Sequence, residues 1–142
     1  MFQVYFPMKI KRIKNFSLDK ACELHKALSD HNRLRILSIM HFYGEICVSD
    51  LELLLDFTQT KTSRHITYLK NSGLVNFKRY EKWTYYTIRE EYDDFIAHNI
   101  EAIKSDETIQ ADLQNYKVMY ANSSLAIRLL HNRQNKYVLP EL

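Results

Sequence analysis

The segment from Thr58 to Val75, Thr-Gln-Thr-Lys-Thr-Ser-Arg-His-Ile-Thr-Tyr-Leu-Lys-Asn-Ser-Gly-Leu-Val, constrains the fold most. Thr58 has the chemistry of an N-cap, a hydroxyl that accepts a backbone N–H in the first turn of a helix. Thr62, Ile66 and Leu69 follow at i, i+4 and i+7, a single inward face. Gly73 suits the left-handed position just past a helix end, with Leu74 as the apolar closure. The outward side of this helix is polar and basic, and β-favouring residues follow at once.

The flanking sequence supplies the rest of a small, mostly helical domain. The chain has only two glycines and two prolines in 142 residues, which disfavours loop-rich or disordered architecture. Ser17 is placed to cap a first helix, with Leu18, Ala21, Leu24, His25 and Leu28 on one face. Asp30 is placed to cap a second, with Leu34, Leu37 and Met40 inward and an end near Gly44. Glu45 to Val48 favours a short strand. Ser49 and Glu52 have capping-box spacing, so a third short helix is expected to start at Ser49 and run to Leu55. Asp56-Phe57 makes the turn into the helix capped by Thr58. Val75–Arg79 and Trp83–Ile88, joined through Tyr80-Glu81-Lys82, read as a hairpin. A further helix is expected over Glu91–Lys104, with Tyr92, Phe95, Ile96, Asn99, Ile100 and Ile103 in a 3–4 pattern. A new start at Ser105 leads into a heptad seam of Ile109, Leu113, Tyr116, Tyr120, Ser123, Ile127 and Leu130. This seam suits either packing back on its own domain or an intersubunit interface. The expected division is a basic arm over 1–16, a winged-helix domain over 17–104 and a helical extension over 105–142.

Charge is segregated along this framework. The net charge is only +3, but Lys61, Arg64, Lys70, Lys78, Arg79, Lys82 and Arg89 face Glu81 alone over 58–89. Lys9, Lys11, Arg12 and Lys14 face no acid in the arm. A helix with a polar, basic outward face followed by a basic hairpin matches a phosphate-facing surface, with the helix in the DNA major groove and the hairpin as a wing. Arg64 or Lys61 can donate to guanine, and Gln59 can pair with adenine. His65 suits a phosphate or base contact or a structural hydrogen bond, the contact being the favoured reading. No Gly-rich phosphate loop, nucleophile elbow or metal-ligand cluster points to an enzyme. No apolar run is long enough to span a membrane. The N-terminus is apolar first and basic second, unlike a secretory signal. Cys22 and Cys47 form no disulfide framework, which suits the cytoplasm.

Taken together, Ala27-Leu28-Ser29-Asp30 with Arg33–Leu37, Glu45–Leu51, Ser63-Arg64-His65 with Tyr68-Leu69, Ser72–Val75, and Lys82-Trp83 with Tyr85-Tyr86 resemble the ArsR (arsenical-resistance repressor) family of winged helix-turn-helix regulators. The resemblance covers roughly residues 20–90. It implies a mainly α (α+β) fold with a two-stranded wing and C-terminal dimerisation helices. It also implies a homodimer built on the first and last helices, an inverted-repeat operator in double-stranded DNA, and repression relieved by an unidentified effector. Carried over by position, Thr58, Gln59, Lys61, Thr62, Ser63, Arg64 and His65 fall on the recognition helix, and Lys78, Arg79 and Lys82 on the wing. The chain departs from arsenite-sensing members, which have a second cysteine where this chain has Ser49, and a single thiolate is a poor arsenic site. It also offers only one histidine where other members pair histidines and carboxylates on the last dimer helix. Cys47, Asp94 and His98 are the residues left to hold a metal, and the expectation is that no metal or other cofactor is bound. The competing reading is a winged-helix module that docks a partner protein through its C-terminal helices.

Overall fold

Local capping sets most of the helix boundaries. In a computed structural model, which describes residues 13–121, Ser17 accepts the Lys20 N–H and starts α1 (Leu18–Leu28). Asp30 accepts the N–H groups of Asn32 and Arg33 and starts α2 (His31–Tyr43). Gly44, at φ +82°, ends α2 by donating its N–H to Met40. The short strand β1 (Ile46–Cys47) leads directly into α3 (Val48–Leu55). That helix starts two residues before the position a Ser49 cap would set. Cys47 occupies the N-cap site without a side-chain capping hydrogen bond, which places Ser49 inside the first turn and not at a capping box. Pairing of Ile46 and Cys47 with the sheet fixes the chain direction up to Cys47, so the turn begins at the strand's end.

Asp56, in the left-handed region at φ +53°, turns the chain into α4 (Gln59–Asn71). After Gly73, also at φ +82°, come β2 (Val75–Tyr80) and β3 (Trp83–Ile88), antiparallel with Tyr80 opposite Trp83. The two-residue connection Glu81-Lys82 needs one positive φ, and Glu81 takes it at +54°. β1 adds to the outer side of β3, giving a three-stranded sheet in the order β1-β3-β2. A 3-10 turn over Glu90–Tyr92 precedes α5 (Asp93–Ile103), and Asp106 caps α6 (Glu107–Ala121) through the N–H groups of Thr108 and Ile109.

The core lies between α2 and the helices around it. Leu24, Ile36, Leu37, Leu51, Leu69, Leu74, Ile96 and Ile100 have no exposed surface, and burying each such side chain stabilises the fold by about 2 kcal/mol. Of the first helix's expected face, Leu24 and Leu28 are buried, but Leu18 is 81% exposed and His25 is on the surface. Leu18 is the first residue of α1, beyond the reach of the core that Leu24 joins.

The described part of the heptad seam packs on its own chain. α6 lies against α2 and α3. Arg35 makes two parallel hydrogen bonds, at 2.7 and 2.8 Å, to the buried Asp112. The Tyr43 and Tyr116 rings stack at 3.7 Å, and the Tyr120 hydroxyl donates to Asp50 of α3. Ser123, Ile127 and Leu130 lie outside the described residues, as do Lys9, Lys11 and Arg12 of the arm. No helix among the described residues is long and apolar enough to cross a membrane.

Candidate nucleic-acid interface

The start and end of α4 are both fixed by backbone chemistry. Thr58 has extended backbone angles, its hydroxyl accepts the Lys61 N–H at 3.2 Å, and its carbonyl accepts the Thr62 N–H at 3.0 Å. At the other end the Leu74 N–H reaches Leu69 and the Gly73 N–H reaches Lys70, the paired bonds of a Schellman motif. Leu69 and Leu74 are both fully buried, so the apolar contact that accompanies this motif locks the helix to the sheet. A side chain at Gly73 would be strained by its φ and would meet the Lys20 ammonium at 3.1 Å.

Between these stops, Thr62, His65, Ile66 and Leu69 face the core. The opposite face presents Gln59, Thr60, Ser63, Arg64, Thr67, Tyr68, Lys70 and Asn71. Thr60, Ser63, Arg64 and Thr67 fall at i, i+3, i+4 and i+7, one line along the outward surface. Thr60 and Thr67 were not among the residues expected from the sequence. Their signal was there, because they lie opposite the Thr62-Ile66-Leu69 stripe, but a threonine carries no charge to draw notice. Lys61 is half-buried, its ammonium 4.0 Å from the centre of the Phe57 ring. Tyr68 carries the Arg33 guanidinium over its ring at 4.0 Å.

Two expected contact residues face the wrong way for DNA. Thr62 is fully buried and donates its hydroxyl to the Thr58 carbonyl. His65 is 5% exposed, with Nδ1 3.8 Å from an Asp30 oxygen and neither ring nitrogen hydrogen-bonded. Both belong to the helical stripe that continues into Ile66 and Leu69, and core packing takes that stripe. Burial lowers the His65 pKa. Asp30 opposes this, while Arg64, Arg33 and Lys61 reinforce it. For Asp30, burial acts to raise the pKa, but the N–H bonds of Arg33 and Asn32 and the charges of Arg33 and His65 bring it below the ordinary value.

The wing places its bases at the tip and edge. Lys78 lies opposite Tyr85, and Arg79 opposite Thr84. Strand alternation sends Lys78 and Arg79 to opposite faces. Lys78 is 2.9 Å from Glu45, an exposed pair worth at most a fraction of its Coulomb energy in water. Lys82 sits in the turn with its ammonium 5.4 Å from the Trp83 ring centre. Lys70, near the end of α4, lies 4.3 Å over the exposed Phe77 ring of β2, which ties the wing to the helix.

The candidate metal residues are not gathered. Cys47 is buried at the end of β1. Asp94 and His98 are exposed on α5, beside a cleft of about 1040 Å³ between α1 and α5 that Phe16, His25, Glu91 and Phe95 also line. Among the described residues no three His, Cys, Asp or Glu side chains cluster as a metal site would require.

Comparison with known proteins agrees with this geometry. Residues 30–76 match the family model described as "Bacterial regulatory protein, arsR family". The chain is 37% identical over 95 residues to the arsenical resistance operon repressor of Escherichia coli (strain K12), a span of 66% of this chain and 81% of that protein. Among solved structures, HlyU from Vibrio cholerae N16961 superposes with a TM-score of 0.55 at 29% identity, covering 59% of this chain and 91% of that one. The homodimeric winged helix-turn-helix DNA-binding domain Mb0332 from Mycobacterium bovis superposes with a TM-score of 0.55 at 28% identity, covering 61% and 79%.

Proposed function

The chain belongs to the ArsR family of DNA-binding transcriptional regulators, and on that premise we propose that it is a homodimeric, sequence-specific repressor of the cytoplasm, without catalytic activity, released from an inverted-repeat operator by an effector. The observation that carries this reading is the outward line of Thr60, Ser63, Arg64 and Thr67 on α4, flanked by the basic wing. Arg64 is the side chain suited to a bidentate contact with guanine, and Gln59 to one with adenine. Ser63 and the threonines suit hydroxyl contacts to base edges or phosphates. Lys78, Arg79 and Lys82 of the wing supply the sequence-independent attraction to phosphates.

The dimer face in this reading is the α1–α5 side. Its cleft, with the exposed Phe16 and Leu18 beside it, supplies apolar surface for a second copy to cover. Two copies joined there would set two α4 helices for successive major grooves on one DNA face. Repression follows the similarity to the Escherichia coli repressor; the Vibrio cholerae relative HlyU carries the name transcriptional activator. Docking of a partner protein through α6 has less support, because the inner face of that helix is already engaged by Arg35, Tyr43 and Asp50.

The test is binding of the purified chain to DNA from upstream of its own gene, with excess nonspecific competitor, at low and near-physiological salt. A discrete competitor-resistant complex is the expected result, and its protection footprint should show two half-sites about one helical turn apart. Loss of every complex to competitor refutes sequence-specific repression.

A further inference from the structure

Between the first turns of α2 and the α5–α6 corner lies a second cavity, of about 670 Å³. That volume is within the range of small-molecule sites. Leu34, Ala102, Ile103 and Ile109 supply apolar walls, and Arg35 and Thr108 supply polar groups. The family match ends at residue 76, so the α5–α6 corner that closes this cavity lies outside it.

Arg35 gives the cavity its chemistry. Its Nε and one Nη2 hydrogen are taken by Asp112, which leaves three of the five guanidinium N–H donors unengaged among the described residues. Asp112 is 2% exposed and balances the Arg35 charge. Asp106, also on the wall, is the cap of α6. The walls therefore offer directed donors but no surplus positive charge, which selects an uncharged acceptor over an anion.

The same guanidinium reaches the DNA-binding side. It lies 5.1 Å from the centre of the Phe57 ring, and the Lys61 ammonium of α4 lies 4.0 Å from that centre. Phe57 is buried and directly precedes the N-cap Thr58. A shift of Arg35 thus alters the packing of the residue that leads into the recognition helix.

We propose that this cavity binds an uncharged amphipathic effector, a small molecule with an apolar body and a carbonyl-type oxygen directed at Arg35, and that occupancy changes DNA affinity through Phe57. The regulatory half rests on the function proposed above, whereas the binding half stands without it.

The experiment titrates the full chain with acetophenone, ethylbenzene and benzoate while recording ¹H–¹⁵N spectra, the Arg35 Nε–H signal included. The expected result is saturable acetophenone shifts at residues 31–35 and 102–109 with a Kd of about 1 mM. Ethylbenzene, which lacks the acceptor, and benzoate, which is charged, should bind roughly tenfold more weakly. Ala102→Trp, at an exposed rim position, should fill the cavity and abolish the shifts without disturbing the core. Absence of saturable shifts, shifts confined to other residues, or equal binding by Ala102→Trp overturns the site. Tightest binding by benzoate overturns the uncharged class. In parallel, saturating acetophenone should change the Kd for operator DNA by roughly fivefold in the parent chain and not in Ala102→Trp. An unchanged Kd with the cavity occupied overturns the regulatory half alone. Failure to bind any upstream DNA removes the repressor reading and the regulation with it, while the titration still decides the site.

Discussion

Replacing Tyr120 with phenylalanine isolates one hydrogen bond between α6 and the helix-turn-helix. The Tyr120 hydroxyl donates to Asp50 Oδ2 at 2.7 Å. Asp50 is 4% exposed, and its other oxygen has no hydrogen-bond partner. Phenylalanine keeps the ring that stacks on Tyr116 at 4.3 Å, so the change removes the donor and little else. A hydrogen bond to a charged group contributes about 1.5–3 kcal/mol. Tyr120→Phe should therefore destabilise the domain by about 2 kcal/mol where Asp50 is ionised, lowering Tm by about 5 °C at fixed protein concentration.

The pH dependence gives this prediction a sharper edge. Burial raises the Asp50 pKa, and the Tyr120 bond holds it partly back. A carboxyl whose folded pKa is raised costs the fold stability as pH climbs from its unfolded value through its folded one. Without Tyr120 the folded value rises further and the loss extends to higher pH. The destabilisation should be largest near about pH 8 and fall to roughly half near about pH 4, where a protonated Asp50 loses only a neutral hydrogen bond. Urea unfolding followed by circular dichroism measures both points. On an Asp50→Asn background the same substitution should cost about 1 kcal/mol with no such pH dependence. A loss below about 0.5 kcal/mol near pH 8, or one that does not change with pH in the Asp50 chain, refutes the reasoning.

Arg64→Ala should weaken operator binding by about 1–3 kcal/mol and relax specificity at one base pair, with unfolding unchanged; anisotropy titrations on operator variants check it. Lys82→Ala should weaken binding to all sequences alike and reduce the slope of log Kd against log salt by about 1, which titrations at several salt concentrations measure. His65, with its folded pKa lowered by burial, contributes stability that is present above its ordinary value of about 6.5 and lost as pH falls below it. His65→Phe should flatten that acid-side decline in urea midpoint while leaving the exposed face of α4, and so DNA specificity, in place.

The caps and periodicity of this chain determined its elements. Ser17, Asp30 and Thr58 each accept the backbone N–H groups that their chemistry implies, and Gly73 closes α4 as its freedom at positive φ implies. These are interactions within a few residues, so they are written in the local sequence. The Thr62-Ile66-Leu69 stripe likewise set the inward face of α4, and with it the outward line proposed to read DNA. Thr62 entered the site by its place on the recognition helix, although its spacing already set it inward; His65 was misread because a histidine beside basic residues looks the same whether it faces groove or core. Only packing against the start of α2 decides the matter, by burying His65 next to Asp30. The destination of α6 was also tertiary. A row of Ile109, Leu113, Tyr116 and Tyr120 serves a second copy or its own domain equally well. The decision rests on Arg35, Tyr43 and Asp50, which are distant in sequence and meet Asp112, Tyr116 and Tyr120 only once α2 and α3 are packed.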